Sequence, residues 1–511
     1  MSDVQEQHEM QHNAAPARPA TGNHSKLEEF ERDDDGRPPF ILTYTEVKLL
    51  GIAGPVSTML QYRLYGGKAL PNGLAGFVKA AANIGSVIGQ IGFGFAADSL
   101  GRKAVYGKEL MLIIFATIMC ISDPTDVLSP SGVLIWLGVF RIILGIGVGG
   151  DYPMSASITS DRSNLRKRGT MLAYIFSNQG WGSLIGALVT IIVLAIYKHS
   201  MNDLGHTSKV DGVWRIVIGL SLIPAFGTLY QRLTLPESTR FIASQKSDEE
   251  MVADLKKITD PSIKEVQSVS SGTDNVEELV KQKAQFSEFV RYFSEWRHFK
   301  LLLGTCSCWF FLDIAFYGIN LNQNVVLEEV GFAGKTGTAW EKLFNISTGN
   351  IIITALGFVP GYYMTILTIE KMGRKWIQIQ GFLLEALFLA ILAGKFTTLS
   401  HAGFIVCFSF LQFFFNWGAN ATTYCYPAEL FPTRYKAFAH GISAACGKAG
   451  AIISALAFNS LATKIGTPAV LWIFFGCCIA GAICSFLLPE VKGRDPDLVL
   501  AEEIRQGKVP I

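Results

Sequence analysis

Eleven separate stretches of this sequence are apolar and long enough to cross a lipid bilayer, and they dictate a bundle of transmembrane helices. They lie near residues 74–97, 104–122, 132–159, 169–197, 213–235, 299–328, 345–369, 376–396, 402–428, 436–463 and 468–488. A hydrocarbon core about 30 Å thick takes roughly 20 helical residues to span, and inside it every backbone polar group must find its partner within the protein. An all-α fold is therefore expected. Hydrophobic residues make up 50% of the 511 and charged ones only 17%, which is outside the soluble norm. A twelfth apolar stretch, 49–60, is too short to span and is interrupted by Pro55.

Polar composition marks the boundaries. Residues 1–46 are rich in His, Gln, Pro and acids and lack the apolar core of a cleaved signal peptide, so a disordered tail is expected there. Residues 236–298 are dense in Lys, Glu, Asp and Ser and read as a soluble connection. Two helix bundles, 47–235 and 299–490, then flank it, with 491–511 as a second tail. Basic clusters at Arg102 and Lys103, at Arg162, Arg166, Lys167 and Arg168, at Arg374 and Lys375, and at Arg434 and Lys436 fall in alternate short loops. The positive-inside rule places those loops, the connection and both tails in the cytoplasm. The nine cysteines sit in or beside apolar segments without metal-ligand spacing and read as small buried hydrophobes.

The bundles repeat one another. Gly101-Arg102-Lys103 recurs as Gly373-Arg374-Lys375, and Arg162 recurs as Arg434, both at an offset of 272 (373 − 101 and 434 − 162). In duplicated helical transporters the binding site lies between the halves at mid-membrane depth.

A few ionisable residues sit where lipid would penalise them. The run Arg141 to Asp161 places Asp151 among glycines, next to Tyr152 and Pro153, and such a carboxylate costs roughly 2.5–3.5 kcal/mol to insert unless it faces a polar pathway. Asp313 lies in WFFLDIAFYG of the seventh span and Lys448 in AACGKAGAI of the eleventh. Trp309, Asp313 and Tyr317 recur every four residues and so share a helix face. Lys448 and Asp313 read either as a structural ion pair or as part of a substrate path, and Trp309 alone reads as core. Asn420 and Gln179 read either as interhelical hydrogen-bond partners or as ligand contacts.

Gly94-x3-Asp98-x2-Gly101-Arg102-Lys103, Arg141 with Gly145, Gly147 and Gly149, and Pro236-Glu237-Ser238-x-Arg240-Phe241 resemble signatures of the major facilitator superfamily. The stretch Gly149 to Ser155, Trp309-Phe310-x2-Asp313-x3-Tyr317, and Pro432-Thr433-Arg434-Tyr435 followed by His440 to Ala444 resemble the fungal proton-coupled inorganic phosphate symporters, over residues 74–490. The resemblance implies two six-helix halves, a plasma-membrane location, and phosphate and protons as partners. It assigns Tyr152, Gln179, Trp309, Asp313, Tyr317, Asn420 and Lys448 to phosphate binding, and Asp151 with Asp313 to proton coupling. Asp98, Gly101, Arg102, Glu370 and Arg374 match the gating motif. In its second copy Ile366 replaces the first glycine, so a looser helix approach is expected there. In the symporters the first helix carries an Asp-containing aromatic stretch. From Lys48 to Gly101 is 53 residues where Lys300 to Gly373 is 73, so about one helix is missing after Gly54.

Nothing points to an enzyme. The eight histidines are scattered, without the pairing a metal site needs, and the phosphate-cradling Gly-x4-Gly-Lys-[Ser/Thr] loop is missing, so an ion gradient rather than ATP is the expected energy source, with no cofactor. An organophosphate or sugar porter, or a phosphate sensor that does not transport, remain as alternatives.

Overall fold

A computed structural model describes residues 53–235 and 286–506, apart from Ala69, Val330, Ala333, Lys335 and Thr336. The first 52 residues, the Pro236 to Phe241 motif and most of the expected connection lie outside the described residues. Every regular element among those described is helical, and eleven helical spans are long and apolar enough to cross a membrane, in the places expected.

The first half contains α1 (Ala53–Tyr65), α2 (Asn72–Leu100), α3 (Lys108–Ile121), α4 (Pro130–Arg162), α5 (Arg168–Ile196), and a broken span made of α6 (Val210–Gly219) and α7 (Leu222–Leu233). A short helix, α8 (Phe286–Phe293), leads into α9 (Trp296–Asn320) and α10 (Gln323–Glu329). Then come α11 (Ala339–Ile353) with α12 (Val359–Met372), α13 (Arg374–Gly394), α14 (His401–Asn416) with α15 (Ala419–Leu430), α16 (Lys436–Ile465), α17 (Thr467–Cys484) and α18 (Pro496–Arg505). The halves meet along two seams, α2 with α16 and α5 with α12 and α15.

Small residues set the closest packing. A Cβ on Gly85, Gly89, Gly145 or Gly149 would come within about 2 Å of a carbonyl oxygen on the facing helix, so α2 and α4 touch backbone to backbone. Helices α2 and α16 do the same across the halves, where a Cβ on Gly441 would lie 2.2 Å from the Gln90 carbonyl oxygen. Replacing Gly441 with leucine should force these two helices apart and destabilise the joined halves. The melting temperature and elution profile of the purified variant check this, and parental values would contradict it.

Several sequence expectations need correcting. Pro55 does not interrupt α1, which is helical on both sides of it, and 13 residues of that helix are described. It packs against α6, α10 and α11 at the end opposite the basic loops and buries Val56, Met59 and Leu60. Within the connection expected to run to residue 298, Phe289, Tyr292 and Phe293 of α8 pack on Phe431, Tyr435 and Phe438. The seventh span starts at Trp296, inside that expected connection. The tail is anchored too, since Asp497 accepts bonds from the Thr433 amide and hydroxyl, both at 2.7 Å. Four cysteines are buried, but Cys306, Cys407, Cys446, Cys477 and Cys484 are only partly so.

Candidate functional site: a polar core between the halves

Tyr152 sits on α4, one residue before Pro153, and reaches across to the second half. Its ring lies 5.0 Å from the Lys448 ammonium and 6.3 Å from the Trp309 ring. Lys448 on α16 donates to Asp313 at 3.0 Å and to the Tyr317 hydroxyl at 2.8 Å, with the Tyr317 ring 4.3 Å away. Lys448 and Asp313 are each only 1% exposed. The four-residue spacing of Trp309, Asp313 and Tyr317 thus puts all three beside one ammonium. Gly447 makes the approach possible, because a Cβ there would lie 2.5 Å from the Trp309 ring.

A second group of amides joins this one. The Tyr362 hydroxyl on α12 donates to Gln179 on α5. The Asn420 amide nitrogen lies 2.8 Å from that hydroxyl, 3.2 Å from the Gln179 oxygen and 2.8 Å from Asn416. Asn420 is placed by a break in its span. Helix α14 stops at Asn416 and α15 restarts at Ala419, with Gly418 packed so closely that a Cβ would meet Gly381 Cα at 2.6 Å. Tyr424 and Phe176, stacked at 4.5 Å between centroids, fill the space between the groups, with Tyr152 6.2 Å from Tyr424. His440 stands edge-on to both Trp309 and Tyr424 and bonds the Tyr424 carbonyl.

The structure therefore brings together Tyr152, Gln179, Trp309, Asp313, Tyr317, Asn420 and Lys448 at the seam. Sequence reasoning missed Tyr362, Tyr424, Phe176 and His440. The repeat held a signal for two of them, since Tyr152 and Phe176 map at the same offset onto Tyr424 (152 + 272) and Lys448 (176 + 272).

Asp151 is not part of this cluster. It turns the other way and bonds Arg232 on α7 at 2.5 Å, and Arg232 also reaches Glu109 on α3 at 3.3 Å and stacks on Tyr106. Glu109 and Arg232 were not anticipated. A buried cation shared by two buried acids keeps charge inside the first half that lipid would otherwise reject.

The residues expected to form a gating motif lie at the basic end. Gly101 and Gly373 both have left-handed φ values, 97° and 85°, a conformation that only glycine adopts without strain, and each turns one span into the next. Asp98 accepts bonds from the Ala437 and Phe438 amides at the N-terminus of α16, and so caps a helix of the opposite half. Arg102 pairs with Asp161 at 3.1 Å, and Asp161 pairs in turn with Lys436 at 2.8 Å. The second copy reciprocates: Glu370 accepts from the Thr170 amide near the start of α5, while Arg374 bonds Glu370 at 2.8 Å and Glu429 at 2.6 Å. Ile366 does not loosen this seam, because the close approach has moved to Gly169, where a Cβ would lie 2.1 Å from the Arg374 guanidinium. Arg434 pairs with Glu288 rather than facing the core.

A family model described as "Sugar (and other) transporter" matches residues 41–499. A Schizosaccharomyces pombe relative named for inorganic phosphate transport is 42% identical, over 94% of this chain and 93% of its own. The inorganic phosphate transporter PHO84 of Saccharomyces cerevisiae is 36% identical over 86% and 78% of the two chains, and the repressible high-affinity phosphate permease of Neurospora crassa 38% over 82% and 77%. Among solved structures, the proton:xylose symporter XylE of the major facilitator superfamily superposes with a TM-score of 0.71 at 20% identity, over 90% of this chain and 96% of its own. The reciprocal charge clusters, the duplicated halves and these matches agree: the chain belongs to the sugar (and other) transporter family and has the major facilitator fold.

Proposed function

We propose that this chain moves inorganic phosphate together with protons by alternating access, with phosphate bound between Lys448, Tyr152, Gln179, Trp309, Asp313, Tyr317 and Asn420. The observation that carries this reading is the buried Lys448–Asp313 pair, set among hydroxyl and amide donors at the junction of the halves. A hexose site has little use for a buried ammonium, whereas an anion stripped of water needs a cation and donors to replace its hydration. The relatives named for phosphate transport support the same substrate.

The pair also supplies the coupling. With Asp313 ionised the pair is neutral, and the carboxylate repels an arriving anion. Protonating Asp313 leaves Lys448 with an uncompensated positive charge and turns the carboxyl into a hydrogen-bond donor, so one proton and one dihydrogen phosphate monoanion enter as a neutral load. Losing the proton restores the carboxylate, which competes for Lys448 and expels the anion. Asp151, held by Arg232, is a second acid in the proton route on this reading, and the Asp98, Arg102, Glu370 and Arg374 clusters hold the basic end shut. The basic end and both tails then face the cytoplasm of a plasma-membrane importer.

Replacing Asp313 with asparagine should preserve phosphate binding but stop turnover, because a permanently neutral side chain cannot be deprotonated to eject the anion. Binding and uptake of radiolabelled phosphate measured on the same preparation separate the two, and equal turnover in variant and parent would remove Asp313 from the mechanism. Competition by glycerol phosphate and by glucose in that assay distinguishes phosphate from organophosphate and sugar transport, and binding without uptake marks a sensor.

A further inference from the structure

The interior face of α2 carries a polar stripe that neither the phosphate cluster nor the gate uses. Lys79, Asn83, Ser86 and Gln90 are spaced four, three and four residues apart (83 − 79, 86 − 83, 90 − 86) and so lie on one helix face. All four are buried, with Asn83 at 1% exposure and Gln90 at 0%, while Ile88, Ile91 and Phe95 on the opposite face are exposed, as lipid contact requires. Ser86 is satisfied by the Ala82 carbonyl. Both side-chain polar atoms of Asn83 and both of Gln90, however, are buried without a hydrogen-bond partner among the described residues. Bonds left unmade in this way destabilise a fold unless a ligand supplies them.

Lys79 is equally unusual. Among the described residues no carboxylate lies within ion-pair distance of it, and it donates only to the side-chain oxygen of Asn322, at 2.7 Å. By contrast, the buried Lys436 that bridges the halves at the basic end is paired with an acid, Asp161, at 2.8 Å. Lys79 lies near the end of α2 away from the basic loops. Asn322 follows Asp313 by nine residues (322 − 313), about 13 Å of helix rise nearer that end. Gln90 maps onto Tyr362 of the central cluster (90 + 272). The stripe thus runs from Lys79 inward to the depth of the phosphate site.

We propose that Lys79, with Asn83, forms a second anion-binding site at the outer end of the pathway, which captures phosphate before it reaches Lys448. This inference rests on the phosphate reading above. Among the described residues the only bond Lys79 makes is to a neutral amide, and an anionic phosphate oxygen makes a stronger one. An arriving anion therefore displaces Asn322, and since Asn322 belongs to the other half, capture also unlatches the outer end. Asn83 and then Gln90 supply donors on the way in. An acid opposite Lys79 would neutralise it and defeat this, whereas an amide leaves its charge available.

The test is association of radiolabelled phosphate with the purified full chain. Lys79→Gln should slow association roughly tenfold, in the range of electrostatic steering, with the loss shrinking at high salt and with dissociation unchanged. Lys79→Arg should restore the rate. In a Lys448→Ala background the weak phosphate binding that remains should vanish with Lys79→Gln. Parental association rates in Lys79→Gln, with no residual binding in Lys448→Ala, would overturn the proposal while leaving the central site intact. A parent protein that bound no phosphate at all would instead refute the phosphate reading, and this site with it.

Discussion

Replacing Lys448 with alanine is expected to raise the dissociation constant for phosphate by roughly ten- to a hundredfold, the equivalent of losing one charged hydrogen bond of about 1.5–3 kcal/mol. Lys448→Arg should lose less, because it keeps the charge, but should not be silent, since a planar guanidinium cannot reproduce an ammonium that meets Asp313, Tyr317 and the Tyr152 ring at once. Removing the lysine also strands Asp313, and a buried acid without its partner costs about 3–5 kcal/mol of stability. The double variant Lys448→Ala with Asp313→Asn removes that penalty. It should therefore regain thermal stability without regaining affinity. Isothermal titration with phosphate, read beside the melting temperature, distinguishes the two effects. Unchanged affinity in Lys448→Ala would make the lysine purely structural.

The largest gain of function is expected from lengthening the chain. The described part of α1 has 13 residues, which at 1.5 Å each cover about 20 Å of a hydrocarbon core about 30 Å thick. It is seated only at the end away from the basic loops, where Thr58 meets Asn324 and the helix packs on α10 and α11. A full first span would continue beside α2 toward the basic end and supply a further acid to the pathway. We expect the 511-residue chain to insert or transport poorly, and a form with about 20 more residues after Gly54, the deficit against the second half (73 − 53), to transport several-fold faster. A deficit of this size is what one skipped exon would leave, and sequencing the transcript across codons 50–60 decides that point. Robust phosphate uptake by the short chain would show that the missing segment is dispensable.

Much of this architecture was legible because lipid makes sequence unusually strict. Apolar length located all eleven spans. The repeated Gly-Arg-Lys turns revealed the duplication, because their backbone conformation needs glycine. Lys448 and Asp313 stood out as lone charges in apolar spans, and they pair. Aromatic residues gave no such contrast: Tyr362, Tyr424 and Phe176 lie in spans where an aromatic side chain is ordinary core, and only the 272-residue offset could have picked out Tyr424 and Phe176. Arg232 was hidden for another reason. It lies at the end of an apolar stretch, where a basic residue normally marks the membrane surface, yet it turns inward to Asp151 and Glu109. The break at Gly418 that places Asn420 depends on contacts with Gly381, on a different helix, and so has no local signature.

The central claim is that a proton and a phosphate share the Lys448–Asp313 site. Phosphate uptake into proteoliposomes holding the lengthened chain, driven by an imposed pH gradient with the outside acidic, tests it most directly. Accumulation that rises as the outside is acidified, collapses with a protonophore, and is lost in Asp313→Asn is the expected result. Accumulation indifferent to external pH and to the protonophore would contradict it.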